Sequence, residues 1–133
     1  MLAQAYGRRS VLEEGLQVIR ESLAWAEEAG GQFFDAELHR IRAGLLLRMQ
    51  RTDKAERNYR KALAIARGQG AWMWALRAAC DLTQMLCDHG RQVEARDLLA
   101  PIYGWFTEGF DVDDLQRAKA LLEGLSRIEP STR

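Results

Sequence analysis

Three stretches of the chain coincide when the sequence is shifted against itself by 40 residues. Gly15, Ala55 and Ala95 share one column, Ile19, Tyr59 and Leu99 the next, and Leu23, Leu63 and Tyr103 a third. Upstream, the trio Ala3, Ala43 and Thr83 and the trio Tyr6, Leu46 and Leu86 keep the same step. Small residues stand against small ones, and large apolar residues against large apolar ones. A constant period of this length marks a stack of helical units, each burying its apolar face on the next. Such arrays expose extended surfaces, so the pattern predicts a binding or regulatory role rather than an enclosed reaction centre.

The rest of the composition agrees with an all-α reading. A chain of 133 residues suits one domain, and an apolar fraction of 47% suffices for a core. Ala, Leu, Glu and Arg are abundant, only two prolines occur, and no β-branched alternation stands between turn residues. Lys plus Arg equals Asp plus Glu at 19 each. Zero net charge argues against a role driven by phosphate neutralisation, without excluding a local basic face, so nucleic acid is not an expected partner. Cys80 and Cys87 lie seven apart in one helical pattern. At ~1.5 Å rise per residue they stand ~10 Å apart, too far for a disulfide, and read as reduced thiols. No signal peptide, lipidation motif or membrane-length apolar run is found. The expected location is cytoplasmic.

Along the chain, residues 1–7 read as the end of one helix, and Ser10 with Glu13 forms a capping box opening the next. Leu12, Leu16, Ile19, Leu23 and Ala26 make its apolar stripe, closed by Gly30-Gly31. The second unit pairs a helix carrying Leu38, Ile41, Leu45, Leu46 and Met49 with one carrying Ala55, Tyr59, Ala62, Leu63 and Ala66. Gln50-Arg51-Thr52 is the turn between them, and Asp53 with Glu56 repeats the capping box. The third unit runs from Trp72 to His89-Gly90 and returns through Val93, Leu98, Leu99, Ile102 and Phe106. Pro101 removes the hydrogen bond to the Asp97 carbonyl, so this last helix is expected to bend. Asp111 is the expected N-cap of a closing helix, with Phe110 and Leu115 as a hydrophobic staple. The expected architecture is all-α, with repeats at 1–30, 33–70 and 72–107, a closing helix at 111–128 and a frayed tail at 130–133. That makes about seven helices in a single domain over 1–129.

The column pattern Ala43, Leu46, Ala55, Tyr59 and Ala62 resembles the tetratricopeptide repeat. The resemblance implies a right-handed superhelix of antiparallel helix pairs. The third unit departs from it, with Ile102 where a small residue belongs, and the period of 40 exceeds the family's usual ~34. The runs at 36–40, 61–67 and 94–103, and the closing 105–111 with 118–122, resemble the helical-repeat tails of large bacterial signalling proteins. Those carry a cyclase or transcription-regulator output domain and a nucleotide-binding ATPase. The resemblance implies a regulatory tail, read as a fragment of such a protein, whose partner is a protein or peptide, another domain of the same parent chain being one candidate. No phosphate-binding loop, paired-His zinc helix, nucleophile elbow or zinc knuckle is found, so no catalytic residue, cofactor or metal is assigned.

In the repeat family the first helix of each unit lines a groove. Carried over, this places Glu37, Arg40, Gly44, Leu47 and Arg48 there, followed by Arg77, Cys80, Gln84, Cys87 and Asp88. Arg40, Arg48 and Arg77 would clamp the carboxylates of an acidic peptide. Phe34, Trp72 and Trp74 are candidate aromatic anchors at the turn between units. His39 reads as a partly exposed residue beside a packing seam. A small effector held by the aromatics and arginines is the alternative function. The half-unit at the start should leave apolar surface around Leu2, Tyr6, Leu12 and Ile19, through which the protein is expected to self-associate.

Overall fold

In the computed structural model, residues 2–28 and 35–126 are described, with side chains from Arg9 onward in the first helix. Six helices follow one another among them: α1 (Leu2–Glu28), α2 (Asp35–Arg48), α3 (Thr52–Gly68), α4 (Trp72–Asp88), α5 (Gln92–Tyr103) and α6 (Asp113–Ser126). No described residue is in a strand. The expected break before Ser10 is absent, and α1 runs straight through it. Gly7 is a weak helix former but no proline accompanies it, and continuing a helix costs less than capping and renucleating one. One long helix therefore stands where two were expected. Gly30-Gly31, Phe33, Phe34 and the tail from residue 127 lie outside the described residues, as do the side chains of Leu2 and Tyr6.

Three consecutive connections share one hydrogen-bonding pattern at a spacing of 20 residues. Residue Gln50 (φ 62°), Gly70 (φ 69°) or Gly90 (φ 76°) adopts the left-handed conformation. Its N–H donates to the carbonyl three residues back, of Leu47, Arg67 or Cys87. The next N–H, of Arg51, Ala71 or Arg91, donates to the carbonyl five back, of Leu46, Ala66 or Leu86. This is the Schellman closure of a helix C-terminus. The same residue is at once the N-cap of the following helix, its carbonyl accepting from Ala55, Ala75 or Ala95. All three alanines are 0% exposed. Each turn thus sets the register of the next helix by backbone bonds alone, and α3, α4 and α5 begin at Thr52, Trp72 and Gln92.

That backbone register overrides the expected side-chain caps. The N-cap of α3 is Arg51, with no side-chain capping bond, so Asp53 and Glu56 form no capping box. Asp111 likewise precedes α6 by two residues instead of capping it, while Asp113 and Asp114 fall in the first turn as expected. Phe110 stays 44% exposed, its ring 5.8 Å from that of Tyr103, whereas Leu115 is buried. Pro101 shortens α5. The helix ends at Tyr103, 12 residues long against 17 in α3 and α4, and Phe106 falls in the connection instead of extending a bent helix.

Each helix packs on its neighbours in sequence, and α2 also meets α4, which meets α6. The even-numbered helices thus form one contiguous layer. Among the described residues α3 and α5 have no such backbone approach. Two clusters make the core. One joins Ala62, Leu63 and Ala66 to Leu76, Ala79, Leu99 and Leu115. The other joins Leu46, Ala55 and Tyr59 to Leu82, Met85, Leu86 and Leu125. Leu98 and Leu122 touch both. Leu76, Leu82, Leu86 and Leu99 are fully buried, each worth about 1.5–3 kcal/mol relative to exposure.

Candidate functional site

The even-numbered layer brings together the residues expected to line a groove. On its N-terminal half each helix supplies one acid and one arginine: Glu37 and Arg40 from α2, Arg77 and Asp81 from α4, Asp114 and Arg117 from α6. Arg40 grips Glu37 with both Nε and Nη2, at 3.1 and 3.0 Å, and reaches Asp81 Oδ2 through Nη1 at 2.9 Å. Arg117 Nη1 donates to the other Asp81 oxygen at 2.7 Å, and Arg77 Nε to Asp114 Oδ2 at 3.0 Å. Arg77 Nη1 lies 3.7 Å from Glu37 Oε2. The six charges form one neutral chain across three helices. Burial alone would lower the Arg40 pKa, but its bonds to Glu37 and Asp81 outweigh that and raise it. Arg40 and Arg77 are therefore matched by internal carboxylates, and an acidic peptide would have to displace these to be clamped.

The C-terminal half of the same face differs. Gly44 lies on α2 where an added Cβ would sit 3.7 Å from the Tyr59 hydroxyl. Leu47 and Cys87 are half-buried against the second core cluster. Around them Arg48, Gln84 and Asp88 are exposed, with Gln84 Nε2 donating to Asp88 Oδ1 at 3.0 Å. Cys80 is buried in the core and does not line the face. Burial pushes its thiol pKa up to about 11 and also raises that of Cys87, so neither is an activated nucleophile. Both cysteines are free.

The aromatic expectation resolves into a corner where α3 turns into α4. Trp72 meets Trp105 edge to face, with centroids 4.4 Å apart, and the Arg67 guanidinium sits 5.1 Å from the Trp105 centroid. Trp105 lies two residues past the end of α5, its N–H donating to the Ile102 carbonyl, and α5 packs on α4. A cavity of about 640 Å³ lies alongside, lined by Gln69, Ala71, Trp72, Met73 and Trp74. Phe34 lies outside the described residues.

His39 is buried instead of partly exposed. Its Nδ1–H donates to Asn58 Oδ1 on α3 at 3.3 Å, and Asn58 Nδ2 donates to the Lys54 carbonyl at 2.8 Å. Burial lowers the His39 pKa, partly opposed by the Asn58 bond. The residue occupies a core column repeating every 20 residues: Ile19, His39, Tyr59, Ala79 and Leu99, all buried. Sequence reasoning at a period of 40 paired only alternate members and so missed it.

A second ion network, on the opposite layer, had no expectation attached. Glu56 and Arg60 of α3 and Glu94 of α5 close a ring with Arg91, the residue heading α5. Its four contacts are Arg60–Glu56 at 2.9 Å, Glu56–Arg91 at 2.7 Å, Arg91–Glu94 at 2.8 Å and Glu94–Arg60 at 2.7 Å. It joins two helices whose backbones do not approach. The hydrogen bond from Arg91 is the largest influence and, with a lesser one from Arg60, holds the Glu56 pKa below its ordinary value against the opposing effect of burial.

The expected apolar surface at the start of the chain also shifts. Leu12 is half-buried and Ile19 buried, whereas Val11, Val18 and Trp25 are 66%, 59% and 71% exposed. No described helix is long and apolar enough to cross a membrane.

Comparison with known proteins is sparse. A Rhizobium meliloti (strain 1021) protein described as uncharacterized is 34% identical over 86 residues, covering 64% of this chain and 8% of that protein. The chain thus spans less than a tenth of the relative's length. No family model and no solved structure matches.

Proposed function

We infer that this chain is a non-catalytic protein-interaction module with tetratricopeptide-like stacking, serving as a regulatory part of a larger bacterial signalling protein of the cyclase or ATPase-coupled type. The observation that carries this reading is the even-numbered layer. Three helices that pack side by side present a continuous face whose N-terminal half is stiffened by the neutral ion chain. Its other half combines an apolar floor (Gly44, Leu47, Cys87) with an exposed polar rim (Arg48, Gln84, Asp88). Rigid faces of this composition suit a protein segment, since little ordering is needed on association. The match to a small part of a much longer relative agrees with a module of this kind.

The test is affinity capture of the protein from its own cells with cross-linking, comparing the native chain with an Arg48→Glu/Asp88→Arg variant. A specific protein should cross-link to α2 and α4 and be lost in the variant. Capture that is unchanged by the rim substitutions, or cross-links confined to other helices, would overturn the reading. The cavity beside Trp72 and Trp74 favours one alternative, a small-effector sensor. In that case metabolites should raise the melting temperature by mass action, and substitution of Trp72 should abolish the rise.

A further inference from the structure

The outer face of α1 carries two parallel stripes. Val11, Val18 and Trp25 recur every seven residues and are the most exposed large apolar side chains on the helix. Glu14, Glu21 and Glu28 recur at the same interval, all exposed. Three residues of helix turn by 300°, so the acidic stripe runs about 60° to one side of the apolar one. Glu21 accepts a hydrogen bond from Gln17 at 3.0 Å, and Glu14 and Glu28 have no ion pair among the described residues.

The repeat shows what covers this face elsewhere. Forty residues on, Val18 corresponds to Asn58, which bonds to His39 of α2, the helix preceding α3. Trp25 corresponds to Ile65, packed on the core. Eighty on, Val18 corresponds to Leu98, packed on both core clusters. Ser22 is half-buried where Ala62 and Ile102 are buried. The equivalents of Val18 in both later units and of Trp25 in α3 are thus covered where α1 leaves them open, whereas Arg51, an equivalent of Val11, and Trp105, the other equivalent of Trp25, are exposed. Among the described residues α1 packs on α2 alone.

We propose that the Val11–Val18–Trp25 stripe is the docking site of a separate amphipathic helix whose apolar seam is flanked by lysine or arginine. The inference rests on the interaction-module reading and adds a second surface to it. Charge selects the occupant. A second copy docked antiparallel about a two-fold axis would bring one acidic stripe against the other, and a parallel copy would set it against the uncharged flank of Gly15 and Ser22, whereas a basic flank would pair with Glu14, Glu21 and Glu28 in turn. The chain has no net charge, so the preference comes from this local stripe and not from long-range attraction.

The probe is a labelled peptide of about three heptads with a leucine seam and lysine flanks, titrated against the full chain by fluorescence anisotropy beside a twin with glutamate flanks. The lysine peptide should bind roughly tenfold or more tightly. Val18→Glu and Trp25→Ala should each weaken it by a similar factor while far-UV circular dichroism stays unchanged. Glu14→Lys/Glu21→Lys/Glu28→Lys should reverse the choice of peptide. Arg48→Glu/Asp88→Arg should leave peptide binding intact, so failure of the groove reading and failure of this one are told apart. Equal binding of the two peptides, no binding at all, or indifference to Val18→Glu would overturn the proposal. So would sedimentation showing a dimer of the chain that dissociates on Val18→Glu.

Discussion

Gly68 and Gly70 stand two residues apart at the end of α3, and alanine at each should shift stability in opposite directions. An added Cβ at either position meets nothing within 4 Å, so no clash confuses the comparison. Gly70 has φ 69°, and placing an L-residue there costs about 1–2 kcal/mol. The stiffer unfolded chain returns about 0.4–1 kcal/mol. Gly70→Ala should therefore destabilise by about 1 kcal/mol, and Gly90→Ala, with φ 76°, by the same amount. Gly68 lies within α3 without a positive φ, and alanine there should stabilise by about 0.5 kcal/mol. The third turn is a natural reciprocal, because Gln50 already occupies the left-handed position at φ 62°. Gln50→Gly should stabilise by about 0.5–1 kcal/mol. Urea denaturation followed by far-UV circular dichroism reads these as changes in midpoint at constant m. Equal signs for Gly68→Ala and Gly70→Ala, or a loss on Gln50→Gly, would refute the common closure of the three turns.

Three further outcomes follow from buried or paired groups. Thr83 is 0% exposed and its hydroxyl makes no hydrogen bond, so Thr83→Val should stabilise by about 1 kcal/mol in the same urea assay. The His39 pKa lies below 6.5 in the folded chain, so the unfolded state binds the proton first. Stability should be complete above pH 6.5 and decline as pH falls below it, and His39→Leu should remove that decline in pH-dependent denaturation. The Glu56 carboxyl is held below 4.5, so its contribution is present above that pH and is lost as pH falls through the folded value. Glu56→Gln should flatten the acid limb of the stability curve, and an unchanged limb would show the ring with Arg91 to be inert.

How much of this was legible beforehand depends on the range of the interaction. The apolar columns through Ala55, Tyr59, Leu63, Leu86, Ala95 and Leu99 were readable because helix period and burial act locally and repeat along the chain. All six lie in the core. The caps were misread at Asp53 and Asp111, since a good capping side chain says nothing about a backbone turn that has already set the register. His39 was misread because a polar residue in a helix looks like surface until the full column of 20 is lined up. Glu37 stands three residues before Arg40 on the same helix, a readable spacing, but the cross-helix partners Asp81 of Arg40 and Asp114 of Arg77 were unreadable. Their carboxylates lie 41 and 37 residues away on other helices, and no spacing within one helix predicts which charges meet.

Sequence alone determined that the chain is a series of helices with equivalent apolar stripes, because side-chain volume and hydrophobicity recur at a period that stacking requires. Only the tertiary structure decided which face of that series is available. Backbone closure at Gln50 and Gly70 returns the chain from α2 to α4, α6 packs on α4 after a different connection, and that packing joins their charges into one neutral chain. The packing of α1 on α2 alone among the described residues leaves Val11, Val18 and Trp25 largely exposed. The physical reason is that burial preference belongs to each residue, while the pairing of charges and the coverage of a face belong to distances set by every turn between them.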